Sequence, residues 1–184
     1  MAIDRKISPP SDWVIRFTPA IRPGGTVLDV ACGGGRHARY LSKQGFRVTA
    51  IDRDVSAMSG VADIEVLEAD LEDGSPWPFA GRRFDGVIVT NYLFRPLFST
   101  LTESVADGGV LVYETFGIGN ERFGRPQNPN FLLRPGELLQ AVSGRLSVLG
   151  YQAGTVNIPS PAVVQRIAAI RRSSVTDPIR LPAP

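Results

Sequence analysis

The sequence predicts an α/β fold built on a doubly wound, mostly parallel sheet with helices on both faces. Short apolar segments rich in Val, Ile and Leu recur along the chain, and turn residues and helical stretches separate them. These segments show little alternation of apolar and polar residues, which is typical of strands buried on both faces of a parallel sheet. Strands that alternate with helices form βαβ units with right-handed crossovers.

The predicted elements follow this alternation in chain order. Strands are expected at 26–31, 47–52, 64–70, 84–91 and 108–116. Helices are expected around 13–17 and over 36–44, 94–105 and 135–142, with a helical turn at 54–60. Gly45 is suited to end the second helix and Pro135 to open the last one. Residues 145–156 are predicted as a strand, whereas 162–172 fits either a helical stripe or a β-branched strand.

Size and composition indicate one ordinary globular domain. We expect it to cover 1–184, with a packed core at about 12–172 and loose ends. With one cysteine, Cys32, no disulfide can form within the chain. The sequence shows neither an apolar run long enough to span a bilayer nor the apolar region of a secretory signal at its start. A cytoplasmic location and no membrane association are therefore expected.

The charge balance does not indicate a nucleic-acid binder. Lysine and arginine number 20 against 18 acidic residues, a net charge of +2, and most arginines are scattered. Nucleic-acid-binding chains usually carry a denser basic patch. The charge is expected to be solvated surface, with at most a weak indication of an anionic substrate.

A glycine turn follows the first predicted strand, in VLDVACGGGRHA at 27–38. Gly33 and Gly35 would let the backbone turn sharply and approach a ligand, and the next helix would offer its N-terminal N–H groups. The pattern alone is not specific. Residues 33–38 also satisfy the dinucleotide fingerprint G-x-G-x-x-A, and a tight turn in any α/β protein is a further alternative.

Three carboxylates lie where strands end, and ligands of open α/β sheets bind at that edge. Asp52 is placed to accept the hydroxyls of an adenosine ribose, or else is a surface residue or helix cap. Asp70 is placed to accept a bond from an exocyclic amine, with Leu71 as an apolar face for adenine. Asp29 lies inside the first strand, where a carboxylate is costly unless it is paired with an ammonium group or caps the loop.

These motifs in their order resemble class I S-adenosylmethionine-dependent methyltransferases, and the resemblance is good over about 24–116 and looser to about 172. The motifs are VLDVACGGG, AID at 50–52, EADLED at 68–73, FDGVIVTNYLF at 84–94 and GGVLVYETF at 108–116. The resemblance implies a Rossmann-like methyltransferase fold with an antiparallel β-hairpin at its end, so that 145–156 and 162–172 are both strands. The segment FLLRPGEL at 131–138 and the size resemble small bacterial tellurite- and thiopurine-type methyltransferases.

The resemblance also implies a binding role for each matching residue, with S-adenosylmethionine as cofactor. Its methionine part would contact four residues, namely Asp29, Ala31, Gly33 and Gly35. Its adenosine part would contact another four, namely Asp52, Arg53, Asp70 and Leu71. Asn91 would lie near the sulfonium. Arg36 would reach the cofactor carboxylate, or else be a solvated side chain of the first helical turn.

The acceptor side is less defined by the sequence. Tyr92 and Glu114 are the candidate catalytic residues because each lies at the end of a central strand, and Tyr92 could instead be a core residue with a solvated tip. The only histidine, His37, is either a general base or an exposed or helix-packing side chain, and the second alternative is favoured. A long Gly/Pro/Asn-rich connection, 117–135, carries residues suited to an anionic or planar acceptor: Asn120, Arg122, Phe123, Arg125 and Arg134. No metal site is expected.

The leading hypothesis is therefore methyl transfer to a small molecule, since no appended recognition domain is evident. RNA or protein as acceptor is the close variant. An NAD-dependent oxidoreductase is permitted by the glycine pattern but disfavoured by Asp29 and Asp70. A non-catalytic cofactor-binding scaffold is the alternative from a different class of protein.

Overall fold

The computed structural model describes residues 8–172 and 174. Its seven-stranded sheet has the order β3-β2-β1-β4-β5-β7-β6, in which β1 to β5 run parallel and β7 and β6 are antiparallel. The strands are β1 Thr26–Val30, β2 Arg47–Asp52, β3 Ile64–Glu68, β4 Phe84–Thr90, β5 Val105–Phe116, β6 Ser147–Val156 and β7 Ala162–Ile170. The predicted fold class is confirmed, with its antiparallel finish. The predicted loose ends lie mostly on residues 1–7 and 175–184, outside the described residues.

Within the described part of the chain, four α-helices pack on the two faces of this sheet. They are α1 Asp12–Phe17, α2 Arg36–Lys43, α3 Phe98–Glu103 and α4 Glu137–Val142. Trp13 of α1 and Leu41 of α2 are buried in one hydrophobic cluster. Leu101 of α3 and Leu138 of α4 are buried in the cluster on the other face. Apolar side chains on both faces explain why the central strands have nearly continuous apolar sequences. None of the described helices is long and apolar enough to cross a membrane.

The parallel register brings the ends of β1 to β5 to one side of the sheet, and we call this the carboxyl edge. Asp29 in β1 pairs with Ala50 in β2 and with Ile88 in β4. The segments that leave these strands therefore start side by side, and the polar residues that follow them lie along one edge of the sheet.

The structure corrects several element boundaries. β3, expected over 64–70, ends at Glu68, so Asp70 lies in the connection that follows it. The helix expected over 94–105 is shorter, because a 3-10 turn containing Pro96 precedes α3. β5 begins three residues earlier than expected, since Phe84 pairs with Val105 before a register shift. The helical turn expected at 54–60 is one 3-10 turn, Ser56–Met58. The ambiguous segment 162–172 is strand β7, because its backbone pairs with both β5 and β6.

Candidate cofactor-binding site at the carboxyl edge

Among residues 8–172 and 174, two non-glycine residues have the left-handed backbone conformation, and both lie directly after strands. Ala31 follows β1 with φ 53°, and Asn91 follows β4 with φ 54°. This conformation costs an alanine roughly 1–2 kcal/mol, and asparagine tolerates it better. Such strained backbone is found preferentially where a binding or catalytic site requires it. Both positions were predicted from the sequence as site residues, and they lie at the ends of neighbouring strands.

Asp29 is a buried carboxylate with one unused oxygen. Its side chain is 1% exposed, and Oδ2 accepts a bond of 2.9 Å from the Ala38 amide in the first turn of α2. Oδ1 is buried and accepts no hydrogen bond from the described residues. Burial raises the pKa of Asp29 to about 7, against the lowering effects of the Ala38 bond and the Arg36 charge. Asp29 thus caps α2 and retains an unpaired acceptor.

The glycine turn is tied to the end of β2. The Gly33 amide donates to Asp52 Oδ2 over 2.7 Å, and the Asp54 amide donates to Asp52 Oδ1 over 3.1 Å. A Cβ at Gly33 would meet no atom within 4 Å, so space is open beside it. Glycine is required at position 35 for a different reason, because a Cβ there would overlap the sulfur of Met58. Gly35 therefore allows close packing of the chain on itself.

The remaining predicted cofactor residues line the same edge. Asp70 is exposed, and its Oδ1 accepts from the Glu72 amide over 2.9 Å. Leu71 is half-buried and packs against the core. Arg53 is exposed. Arg36 is half-buried and donates from Nη1 to the Pro9 carbonyl over 3.4 Å.

Tyr92 lies next to the acidic residues of this edge. Its hydroxyl is buried without a well-formed hydrogen bond among the described residues, and its side chain as a whole is half-buried. Burial is the main cause that raises the pKa of Tyr92 above its ordinary value, and the nearby Glu72 carboxylate adds to it. The phenol is therefore protonated near neutral pH and can donate a hydrogen bond.

Glu114 already has protein partners. Its Oε1 accepts from Ser11 Oγ over 3.0 Å, and its Oε2 lies 2.9 Å from Arg166 Nε in an ion pair. Both side chains of this pair are largely buried. The structure thus brings Glu114 to the end of β5, as predicted, with its carboxylate engaged by α1 and β7.

Residues 117–135, called the acceptor loop here, leave β5 at the carboxyl edge as the sequence predicts. The loop closes on itself through the Ile118 amide, which donates to the Leu133 carbonyl over 3.0 Å. Arg95 holds it further, with bonds to the Asn130 and Leu132 carbonyls of 2.7 and 2.8 Å. Among the predicted acceptor residues, four are exposed: Arg122, Phe123, Arg125 and Arg134.

Asn120 differs from the other predicted acceptor residues. It is 2% exposed, and its Oδ1 accepts from the Val163 amide over 3.1 Å. Its side chain is thus directed to β7 and fastens the loop to the sheet.

The environments of two residues near this edge, His37 and Arg95, were not predicted from the sequence. His37, expected to be exposed or helix-packing, is 1% exposed and contacts Ser11 and Thr90. Arg95 was missed because it lies in a short turn without a motif. Within residues 8–172 and 174, no group of three or more His, Cys, Asp or Glu side chains could hold a metal ion.

Comparison with known proteins gives the family. A family model described as a methyltransferase domain matches residues 3–127, which is more than half of the chain. The chain belongs to this methyltransferase family. The predicted methyltransferase class, with its Rossmann-like fold, is thereby confirmed.

Curated relatives match about half of the chain. An uncharacterised methyltransferase of Synechocystis is 33% identical over 101 residues, covering 54% of this chain and 47% of the relative. The ribosomal protein L11 methyltransferase of Burkholderia thailandensis is 38% identical over 94 residues, covering 48% of this chain and 31% of that protein. The chain thus spans less than half the length of these relatives.

Solved structures share the fold over most of the methyltransferase chain. TehB from Haemophilus influenzae has a TM-score of 0.75 at 18% identity, covering 92% of this chain and 64% of TehB. The 1,6-didemethyltoxoflavin-N1-methyltransferase of Burkholderia thailandensis has a TM-score of 0.63 at 18% identity, covering 88% and 76%. At these identities the likeness concerns the fold alone.

Proposed function

We propose that this methyltransferase binds S-adenosylmethionine at the carboxyl edge and transfers its methyl group to a small-molecule acceptor. The single observation that carries the proposal is the unpaired Oδ1 of Asp29, a buried carboxylate oxygen beside the glycine turn. A buried carboxylate without a partner is costly. A ligand with an ammonium group supplies the missing partner, and the methionine part of the cofactor has one.

The residues present fit the cofactor at two further points. Each Asp52 oxygen accepts one bond from the protein and keeps capacity for another, which suits two neighbouring ribose hydroxyls. The space beside Gly33 is open to a ligand. In this proposal Ala31 and Arg36 flank the methionine part, Asn91 lies near the sulfonium, and the adenine side contacts a set already described: Arg53, Asp70 and Leu71.

The cofactor supplies a methyl group that is already activated, so the protein's part is to orient the acceptor and exclude water. Tyr92 is placed to do the first as a hydrogen-bond donor, because its raised pKa keeps the hydroxyl protonated. A phenol of this kind is a poor proton acceptor near neutral pH. Glu114 contacts Ser11 and Arg166, so its carboxylate holds neighbouring residues in place. In this proposal Tyr92 lies nearer to the acceptor.

The exposed side chains of the acceptor loop favour an anionic or planar acceptor. Its Arg122, Phe123, Arg125 and Arg134 are exposed, and none of these arginines forms an ion pair with the described residues. Guanidinium groups recognise carboxylate and phosphate in a bidentate manner and stack on aromatic rings. Structural neighbours include an enzyme solved with bound 1,6-didemethyltoxoflavin, a small molecule. Curated relatives named for ribosomal RNA and ribosomal protein L11 make a macromolecular acceptor the alternative.

A thermal-shift titration with S-adenosylmethionine, S-adenosylhomocysteine and NAD tests the cofactor. A ligand at about 100 times its dissociation constant adds roughly 2.7 kcal/mol, which raises the midpoint by on the order of 5–10 °C for a chain of this size. We expect this rise with the two sulfur ligands and none with NAD. A rise with NAD alone would reject the proposal.

The acceptor class is tested with methyl-labelled cofactor and a cell extract separated into small molecules, RNA and protein. We expect label in the small-molecule fraction and its loss with Tyr92→Phe, at least tenfold in rate. If the label is found only in RNA or only in protein, the acceptor belongs to that class and the small-molecule proposal is wrong.

A further inference from the structure

Ser11 joins three elements at the carboxyl edge. Its amide donates to His37 Nε2 over 3.1 Å, at the start of α2. Its Oγ donates to Glu114 Oε1 over 3.0 Å, at the end of β5. The same Oγ accepts from the Trp13 amide over 3.1 Å, and Ser11 is thereby the N-cap of α1.

His37 is a neutral acceptor in this arrangement. Because Nε2 accepts from the Ser11 amide, Nδ1 carries the proton and donates to Thr90 Oγ1 over 3.2 Å. Burial, with a smaller contribution from the Arg36 charge, lowers the pKa of His37 to about 3. The imidazole therefore keeps its acceptor at neutral pH and bridges the N-terminal segment to the end of β4.

These contacts surround the proposed cofactor residues. Thr90 precedes Asn91, and the Asn91 amide donates to the Glu114 carbonyl over 2.9 Å. Arg36, adjacent to His37, donates to the Pro9 carbonyl over 3.4 Å. Segment 9–11 is thus fastened to residues that are part of the proposed methionine end of the site or directly beside it.

We propose that Ser11, His37 and Glu114 form a latch that holds segment 9–11 against the carboxyl edge and so positions Arg36 and Asn91 for the cofactor. This inference rests on the proposed function. The three are positioning residues, since they act through neighbours that face the ligand. Glu114 is itself held by Arg166, which Gln152 faces from the next strand, so the latch extends into the β6–β7 hairpin.

The test compares S-adenosylhomocysteine binding in three variants by calorimetry, at a temperature where each is folded. Ser11→Ala removes the hydroxyl that bonds Glu114 and caps α1. Ser11→Thr keeps a hydroxyl and serves as the conservative rescue. Thr18→Val is the matched control, because it removes the 2.7 Å bond from Thr18 Oγ1 to the Val14 carbonyl in the same region without touching the latch.

We expect Ser11→Ala to weaken binding about three- to tenfold, the effect of losing one hydrogen bond. Ser11→Thr should bind within about twofold of wild type, a difference well under one hydrogen bond. Thr18→Val should lower the melting midpoint without changing the affinity. Equal affinities of Ser11→Ala and wild type would overturn the latch and leave the proposed function standing. No binding by wild type would overturn both.

If Ser11→Ala does not fold, hydrogen exchange in the wild-type chain tests whether the latch and the ligand are coupled. The latch predicts slower amide exchange over 9–17 when S-adenosylhomocysteine is bound, because the ligand and the latch stabilise the same arrangement. Unchanged exchange in this segment, with slower exchange at the glycine turn, would contradict the latch.

Discussion

Ala31 and Asn91 adopt the same left-handed backbone conformation at the ends of two adjacent strands, with φ of 53° and 54°. The strands they follow, β1 and β4, are paired up to Val30 and Val89. Both strands therefore end on the same edge of the sheet, within one residue of the same level. Asp29, whose Oδ1 is buried without a partner among the described residues, lies two residues before Ala31, so strained backbone and an unpaired polar group lie close together.

The strain at Ala31 predicts that Ala31→Gly stabilises the chain without ligand. Glycine adopts positive φ without steric cost, and the gain is partly offset by the greater freedom of the unfolded chain. We expect a net gain of up to about 1 kcal/mol, or roughly 2–4 °C in the melting midpoint. Ala50→Gly, inside β2, is the control and should destabilise. A fall in the midpoint for both variants would show that Ala31 is not strained.

The free energy of unfolding of Asp29→Asn, measured relative to wild type, should increase as pH rises. The folded-state pKa of about 7 lies above the ordinary 3.8, so the folded chain holds the proton more tightly. The stability this gives at low pH is lost as pH rises from about 4 to about 7, by on the order of a few kcal/mol. Urea unfolding at pH 5 and pH 8 measures the free energy of unfolding of both proteins. The value for the variant minus that for wild type should be more positive at pH 8. The same difference at both pH values would contradict the assignment.

His37→Gln should show the opposite trend. The folded-state pKa of about 3 lies below the ordinary 6.5, so only the unfolded chain takes up this proton as pH falls below 6.5. The His37 contribution to wild-type stability is therefore lost between pH 6.5 and 3, and a variant without the imidazole has no such loss. Asp29 titrates over the same range in both proteins, so the variant-minus-wild-type difference in the free energy of unfolding isolates the effect of His37, the only histidine, and should be more positive at pH 4.5 than at pH 7. An equal difference at both pH values would exclude buried neutral His37.

Arg95→Lys should loosen the acceptor loop. The guanidinium contacts Glu137 at 2.6 and 3.0 Å besides the two loop carbonyls, and an ammonium cannot reproduce this planar arrangement. We expect a loss of about 1–3 kcal/mol in local stability and faster trypsin cleavage after Arg122, which Phe123 follows. Arg83→Lys is the control, since its ion pair with Asp107 is exposed. Equal cleavage rates in the two variants would contradict the role of Arg95.

The sequence predicted the features that depend on local pattern. The starts of β1 to β4 agree with the structure because turn residues delimit each apolar segment. The positions of Asp29, Asp52 and Asp70 followed from the strand ends. Whether 162–172 was a helix or a strand could not be decided locally, since its pairing partners lie in β5 and β6.

Contacts between distant segments were not predictable. The Ser11–His37 bond joins residues 26 positions apart, and the Ser11–Glu114 bond joins residues 103 apart. No composition or spacing marks such pairs, because they arise only when α1 packs across the sheet. Gly35 shows the same limit, since its motif indicated a ligand whereas its neighbour is Met58.

The most direct test of the cofactor site is calorimetric titration of S-adenosylhomocysteine into wild type, Gly33→Ala and Gly34→Ala. A Cβ at either glycine meets no protein atom within 4 Å, but Gly33 is bonded to Asp52 and has φ 52°. We expect wild type and Gly34→Ala to bind with the same affinity and Gly33→Ala to lose at least tenfold. If wild type binds and Gly33→Ala binds equally well, the ligand lies elsewhere and the proposed cofactor site is wrong.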